Sequence, residues 1–90
     1  MQTISNALLQ KMLEDLGYWQ KMHNGQLISS VRRETPAKIM AEGKSQIITF
    51  WDEHRSYLCT IHRVITKNGQ VIHEDIKDAT VNGVRYQTIK

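Results

Sequence analysis

The sequence predicts one α+β domain, an N-terminal helix and a short second helix packed on one face of a three- to four-stranded antiparallel β-meander. Three observations carry this prediction. Apolar residues recur at helical spacing over residues 5–16. From Gln46 onward the chain turns to runs rich in Ile, Val, Thr and aromatics. Two Asn-Gly pairs, Asn68-Gly69 and Asn82-Gly83, then punctuate those runs as hairpin turns. Ninety residues make one domain and leave no space for two. A chain of this length buries roughly 60–65% of its unfolded surface, enough for one modest core.

In the first segment Leu8, Leu9, Met12, Leu13 and Leu16 form one stripe, with Gln10, Lys11, Glu14 and Asp15 opposite. Ser5 or Thr3 supplies the N-cap. Gly17 either ends the helix or lets it run on through Tyr18, Trp19 and Met22 to Asn24-Gly25. Residues 26–33 fit a short strand as well as a loop, so residues 17–33 stay open between helix, strand and loop. Thr35 as cap, Pro36 at the first helical position and Gly43 as stop predict the short second helix.

The turns set a register. Read as a two-residue type I′ turn, Asn68-Gly69 places Lys67 opposite Gln70, Ile65 opposite Ile72, Arg63 opposite Glu74 and Ile61 opposite Ile76. A four-residue turn over residues 52–55 places Phe50 opposite Tyr57 and Ile48 opposite Cys59. Side chains alternate, so Ile48, Phe50, Tyr57, Cys59, Ile61, Ile65, Ile72 and Ile76 share a core face that the first helix covers. The other face carries Ile47, Thr49, Trp51, Leu58, Thr60, His62, Val64, Val71, His73 and Asp75, with His62 opposite Asp75. This mixed face is the expected working surface.

Composition excludes several classes. Forty per cent hydrophobic and 23% charged residues are ordinary for a globular chain. The lone Cys59 cannot form an intramolecular disulfide, which points to a reducing compartment and a small buried hydrophobe. The first residues lack the basic and apolar regions of a signal peptide, and no apolar run approaches the ~20 residues of a membrane span. A cytoplasmic protein without membrane contact is expected. The net charge of +3 leans weakly towards acidic partners. The five glycines are scattered as turns and stops, none of them in a phosphate-binding loop, and no cofactor is expected.

His62, His73 and Asp75 have the composition of a two-histidine, one-carboxylate metal site. The reading adopted is a cross-strand His–Asp pair, with no metal. In a nuclease, His62 or His73 would act as general base or acid, Asp75 would fix the tautomer of His62, and Arg55, Arg63 or Arg85 would hold phosphate. In the order of its elements, helices ahead of an antiparallel sheet, the chain resembles small ribonuclease toxins of the RelE/ParE type. Nucleic-acid binding would draw on Trp51, Tyr57 and Tyr86 with Arg55, Lys67, Lys77 and Arg85.

These readings lead to a non-enzymatic interaction module that binds a protein through Trp51, Leu58, His62, His73, Arg55 and Tyr86. A protein ranks ahead of nucleic acid because the mixed face carries more apolar than cationic side chains. Self-association follows from open sheet edges. The alternative is a metal-independent ribonuclease using His62, His73, Asp75 and Arg55.

Overall fold

A computed structural model describes residues 2–89. Its elements run β1 (Gln2–Ile4), α1 (Asn6–Asp15), α2 (Tyr18–His23), β2 (Ile28–Pro36), β3 (Lys44–Trp51), β4 (Tyr57–Ile65), β5 (Val71–Val81) and β6 (Val84–Thr88). The strands form one six-stranded sheet in the order β1-β6-β5-β4-β3-β2. From β2 to β6 every neighbour is antiparallel, while β1 joins β6 in parallel. The α+β class stands. The sheet is wider than expected and mixed, because residues 28–36 are a full strand and the N-terminal residues form a further one.

Ser5 caps α1, its hydroxyl accepting the Leu8 N–H at 3.2 Å. Only the Leu9–Leu13 ridge of the predicted stripe is fully buried; Leu8 and Leu16 stay exposed. Gly17, with φ +81°, breaks the helix, and α2 begins at once. Both sequence alternatives are therefore partly realised: the glycine stops α1, and helix continues beyond it. Met22 of α2 reaches the core, where its Sδ lies 3.7 Å from the Cys59 thiol. Burial pushes that thiol up to about 12, so Cys59 is an inert core residue.

The second helix expected over residues 35–43 does not form. Thr35 and Pro36 pair with Ser45 and Lys44 as the end of β2, and residues 37–43 close a hairpin. The Ala37 N–H donates to the Gly43 carbonyl at 2.9 Å, and Glu42 turns through φ 62°. Pairing with β3 overrides the local helix signal, and an edge strand tolerates a proline. Gly43 is required by packing, since a Cβ there would sit 2.9 Å from the Ile65 carbonyl oxygen and 2.5 Å from Met40 Cγ.

Two turns depart from the expected chemistry. At residues 66–70 the Gly69 N–H donates to Thr66 and the Thr66 N–H to Gln70, both at 2.9 Å. Gly69 has φ +85° and Asn68 stays outside the left-handed region. This is a type I turn closed by a left-handed glycine, not type I′. The extra residue pairs Ile65 with Val71 in place of Ile72, and a bulge at Val64/Ile65 restores Arg63–Glu74, His62–Asp75 and Ile61–Ile76 as expected. Ile72 is consequently 44% exposed, and Ile65 only half-buried.

The turn after β3 spans one residue more than expected, with the Asp52 N–H donating to the Ser56 carbonyl at 3.0 Å and Arg55 at φ 64°. Phe50 therefore pairs with Cys59 and Ile48 with Ile61, a slip of two that keeps these four residues on the core face. The odd residue is absorbed at a bulge beside Trp51–Tyr57. Leu58, placed on the mixed face by the sequence, is 3% exposed in the core. Tyr57, placed in the core, turns to the other face, where its hydroxyl bonds Thr60 and Asp78. Val64 is buried away from the main core cluster, beneath the residue 37–39 loop on that same face.

No helix among the described residues is long and apolar enough to cross a membrane. Asn82 (φ 51°) and Gly83 (φ 78°) form the expected type I′ turn. The two Asn-Gly pairs are thus inequivalent. Asn68→Ala is expected to change stability by less than about 0.5 kcal/mol, whereas Gly69→Ala and Gly83→Ala, at positive φ, each cost about 1 kcal/mol. Urea denaturation checks this; equal costs for Asn68→Ala and Gly69→Ala would restore the type I′ geometry at residues 68–69.

Candidate functional site

Both helices lie against one side of the sheet, over Cys59, Ile61, Ile76 and Ala79. The opposite face has no helical cover. Three adjacent strands bring polar side chains together there. His62 on β4 pairs directly with Asp75 on β5 and with Ile47 on β3. Ser45, two residues before Ile47, is then the diagonal neighbour of His62, within side-chain reach.

The resulting bonds form one network. His62 Nδ1 lies 3.0 Å from Asp75 Oδ1, and His62 Nε2 lies 2.8 Å from the Ser45 hydroxyl. His73 Nε2 reaches the same Asp75 oxygen at 3.1 Å, and Lys77 Nζ reaches the other at 3.3 Å. The two imidazoles meet edge-on with centroids 5.6 Å apart. Partial burial raises the cost of ionising Asp75, but the His62 hydrogen bond and Lys77 outweigh it and hold the carboxyl below its usual range. An ionised carboxylate only accepts, so His62 carries its donated proton on Nδ1. In the neutral ring Nε2 is then free to accept from Ser45.

Two hollows flank this network. A groove of about 440 Å³ has Pro36, Ala37, Ile39 and Val64 as its apolar wall, and Ser45, His62 and His73 line it as well. On the other flank a depression of about 210 Å³ is bounded by Arg33, Thr35, Ile47 and Lys77, again with Ser45 and His62. Ligand atoms of His62, His73 and Asp75 lie within 4.8 Å of one another, the one such trio among the described residues. Arg33 and Lys77 beside it make the surroundings cationic, which favours anions over a metal ion.

Farther along β3, roughly 20 Å from Ser45 at the rise of a strand, the same face carries aromatics. Arg32 lies over the Trp51 ring at 5.1 Å and Arg85 over the Tyr57 ring at 4.5 Å. Arg85 also bonds Asp78 at 3.2 Å. Burial and the bond to Asp78 push the Tyr57 hydroxyl pKa up. Arg55, Trp51 and Ile28 border a further hollow.

The sequence candidates therefore divide. His62, His73 and Asp75 come together, and Trp51 and Arg55 meet at the far end of the same face. Leu58 lies inside. Tyr86 pairs with Ala79 and packs half-buried against the core on the helix side. Arg63 also faces the helices, where it and His23 share Glu74 at 3.2 and 2.6 Å. The structure adds Ser45, Arg32 and Arg33, which the sequence does not single out, and joins Lys77, named there only among the cations for nucleic acid, to Asp75. No family model, curated protein or solved structure matches the chain.

The Asp75 pairing has a pH signature. Its folded pKa lies below the ordinary 3.8, so its contribution is complete above that value and is lost as pH falls through the folded value. The stability deficit of Asp75→Asn relative to the parent chain is expected to be largest above pH ~5 and to shrink below pH ~4. Urea titrations across that window measure it. A deficit that does not change would mean that Asp75 acts as a neutral group.

Proposed function

We propose that the chain is a binding module whose helix-free sheet face holds single-stranded nucleic acid. The observation that carries this reading is the company of Trp51 and Tyr57. They share the face with Arg32, Arg33, Arg55, Lys77 and Arg85, against Asp75 and Asp78. Both acids are already paired with a cation, Asp75 with Lys77 and Asp78 with Arg85. Aromatic rings with cations beside them stack bases and track a phosphate backbone without needing a sequence code.

A protein partner is the reading that the small net charge of +3 and the apolar side chains of this face favour. With Leu58 in the core and Arg32 and Arg33 supplied by β2, the face is less apolar and more cationic than the sequence pattern alone suggests. The sheet edges support use of the face as well. β2 is blunted by a bulge between Val31 and Arg33, by Arg32, Arg33 and Glu34, and by Pro36, while β1 has three residues. Such features oppose the addition of a strand from another chain.

Fluorescence anisotropy with a labelled single-stranded oligonucleotide of about 12 nucleotides tests the proposal. Affinity is expected to fall steeply with salt. Trp51→Ala and Tyr57→Ala should each weaken binding by about 1–3 kcal/mol, and Arg33→Ala should lower the log–log salt slope by about one. Absence of binding at low salt, with capture of a protein that Trp51→Glu abolishes, would return the module to a protein partner. Shortening of RNA that His62→Ala and His73→Ala both prevent would replace binding by hydrolysis.

A further inference from the structure

We propose that Ser45, His62 and Asp75 form a nucleophilic centre that hydrolyses carboxylic esters with a short apolar acyl group. This inference does not depend on nucleic-acid binding. Each nitrogen of His62 meets the partner that such chemistry requires. The carboxylate lies 3.0 Å from Nδ1 and the serine hydroxyl 2.8 Å from Nε2. A general base must hold the proton of its nucleophile within about 2.6–3.2 Å, and a third group must orient the base. With both ring nitrogens engaged, His62 is held in one orientation. His73 and Lys77 act as positioning residues, each donating to Asp75 and keeping it charged opposite the imidazole.

The surroundings suit an ester. Ser45 lines the apolar groove together with the buried Val64 and with Ile39, 73% exposed. A volume of about 440 Å³ accommodates a short acyl chain. Arg33 and Lys77, which line a depression together with Ser45 and His62, put positive charge in the neighbourhood of the reacting carbonyl. They also favour an alcohol portion that is itself anionic.

The chemistry balances. Ser45 Oγ attacks the carbonyl carbon while His62 Nε2 takes the hydroxyl proton, and a Ser45–acyl bond forms. The tetrahedral oxyanion collapses, the bond to the alcohol oxygen breaks, and His62 returns its proton to that oxygen. Water then repeats the sequence, with His62 as base, and releases the carboxylic acid and free Ser45. The net reaction is ester plus water to acid plus alcohol.

The test exposes the full chain to a fluorophosphonate and, separately, to p-nitrophenyl butyrate. One covalent fluorophosphonate adduct is expected, located on Ser45 by peptide mass spectrometry and lost in Ser45→Ala. Hydrolysis of the butyrate should fall to the uncatalysed background in Ser45→Ala, which removes one oxygen and should retain its circular dichroism and melting temperature. Asp75→Asn should lower kcat by 100-fold or more with KM little changed, because the imidazole then adopts the wrong tautomer. An unmodified Ser45 in the parent chain, or butyrate hydrolysis that survives Ser45→Ala, would overturn the proposal.

Discussion

The pairing of Ile61 with Ile76 beneath α1 is the constraint on which the rest of the structure depends. Both side chains are fully buried, with Leu9 and Leu13 among the same core residues. Because side chains alternate along a strand, fixing this pair inward turns His62 and Asp75 outward and opposite each other. A slip of one residue would carry an imidazole and a carboxylate into the core and expose two isoleucines, at a cost of several kcal/mol. The geometry of the polar network is thus held in place by apolar burial on the far side of the sheet.

Bulges then decide which side chains join that network. Between β4 and β5 the register steps from Ile61–Ile76 to Thr60–Asp78, which leaves Lys77 without a direct partner. Lys77 and Asp78 consequently both serve the open face, one bonded to Asp75 and the other to Tyr57 and Arg85. The bulge at Leu58 exchanges a leucine for a tyrosine on that face, and the bulge in β2 brings Arg32 over Trp51 while Arg33 borders the depression beside Ser45. The open surface owes its aromatic and cationic character to these irregularities.

This explains what the sequence made legible. Alternation and the chemistry of Asn82-Gly83 are local, so most of the buried face and the turn to β6 could be read. The His62–Asp75 pairing expected from a type I′ turn at Asn68-Gly69 is recovered because the bulge at Val64/Ile65 offsets the extra turn residue. Tyr57 and Leu58 could not be placed, since a bulge is set by how a turn of one further residue is reconciled with two buried faces. Thr35-Pro36 and Gly43 carry a sound helix signal that loses to strand pairing, a tertiary effect invisible in the segment itself. Ser45 escapes the sequence pattern because the β-rich run begins at Gln46, whereas the strand itself begins at Lys44. β1 is only three residues long and lies in parallel against a strand more than eighty positions away, so nothing near it announces a strand.

That last pairing bears on the order in which the molecule can assemble. β1 rests on β6, the Asn6 side chain donates to the Ile76 carbonyl at 2.8 Å, and the Ile89 N–H donates to the Ile4 carbonyl at 3.0 Å. Each of these contacts joins the first turn of chain to the last hairpin. β1 and the sheet-facing side of α1 therefore await β5 and β6, and until these form the ridge of Leu9 and Leu13 has chiefly α2 to pack against. Contacts so distant in sequence slow folding and lengthen the interval in which apolar surface is open to other chains. The core is complete only once β5 and β6 have formed, so β1 and α1, first of the described elements in chain order, are among the last to dock.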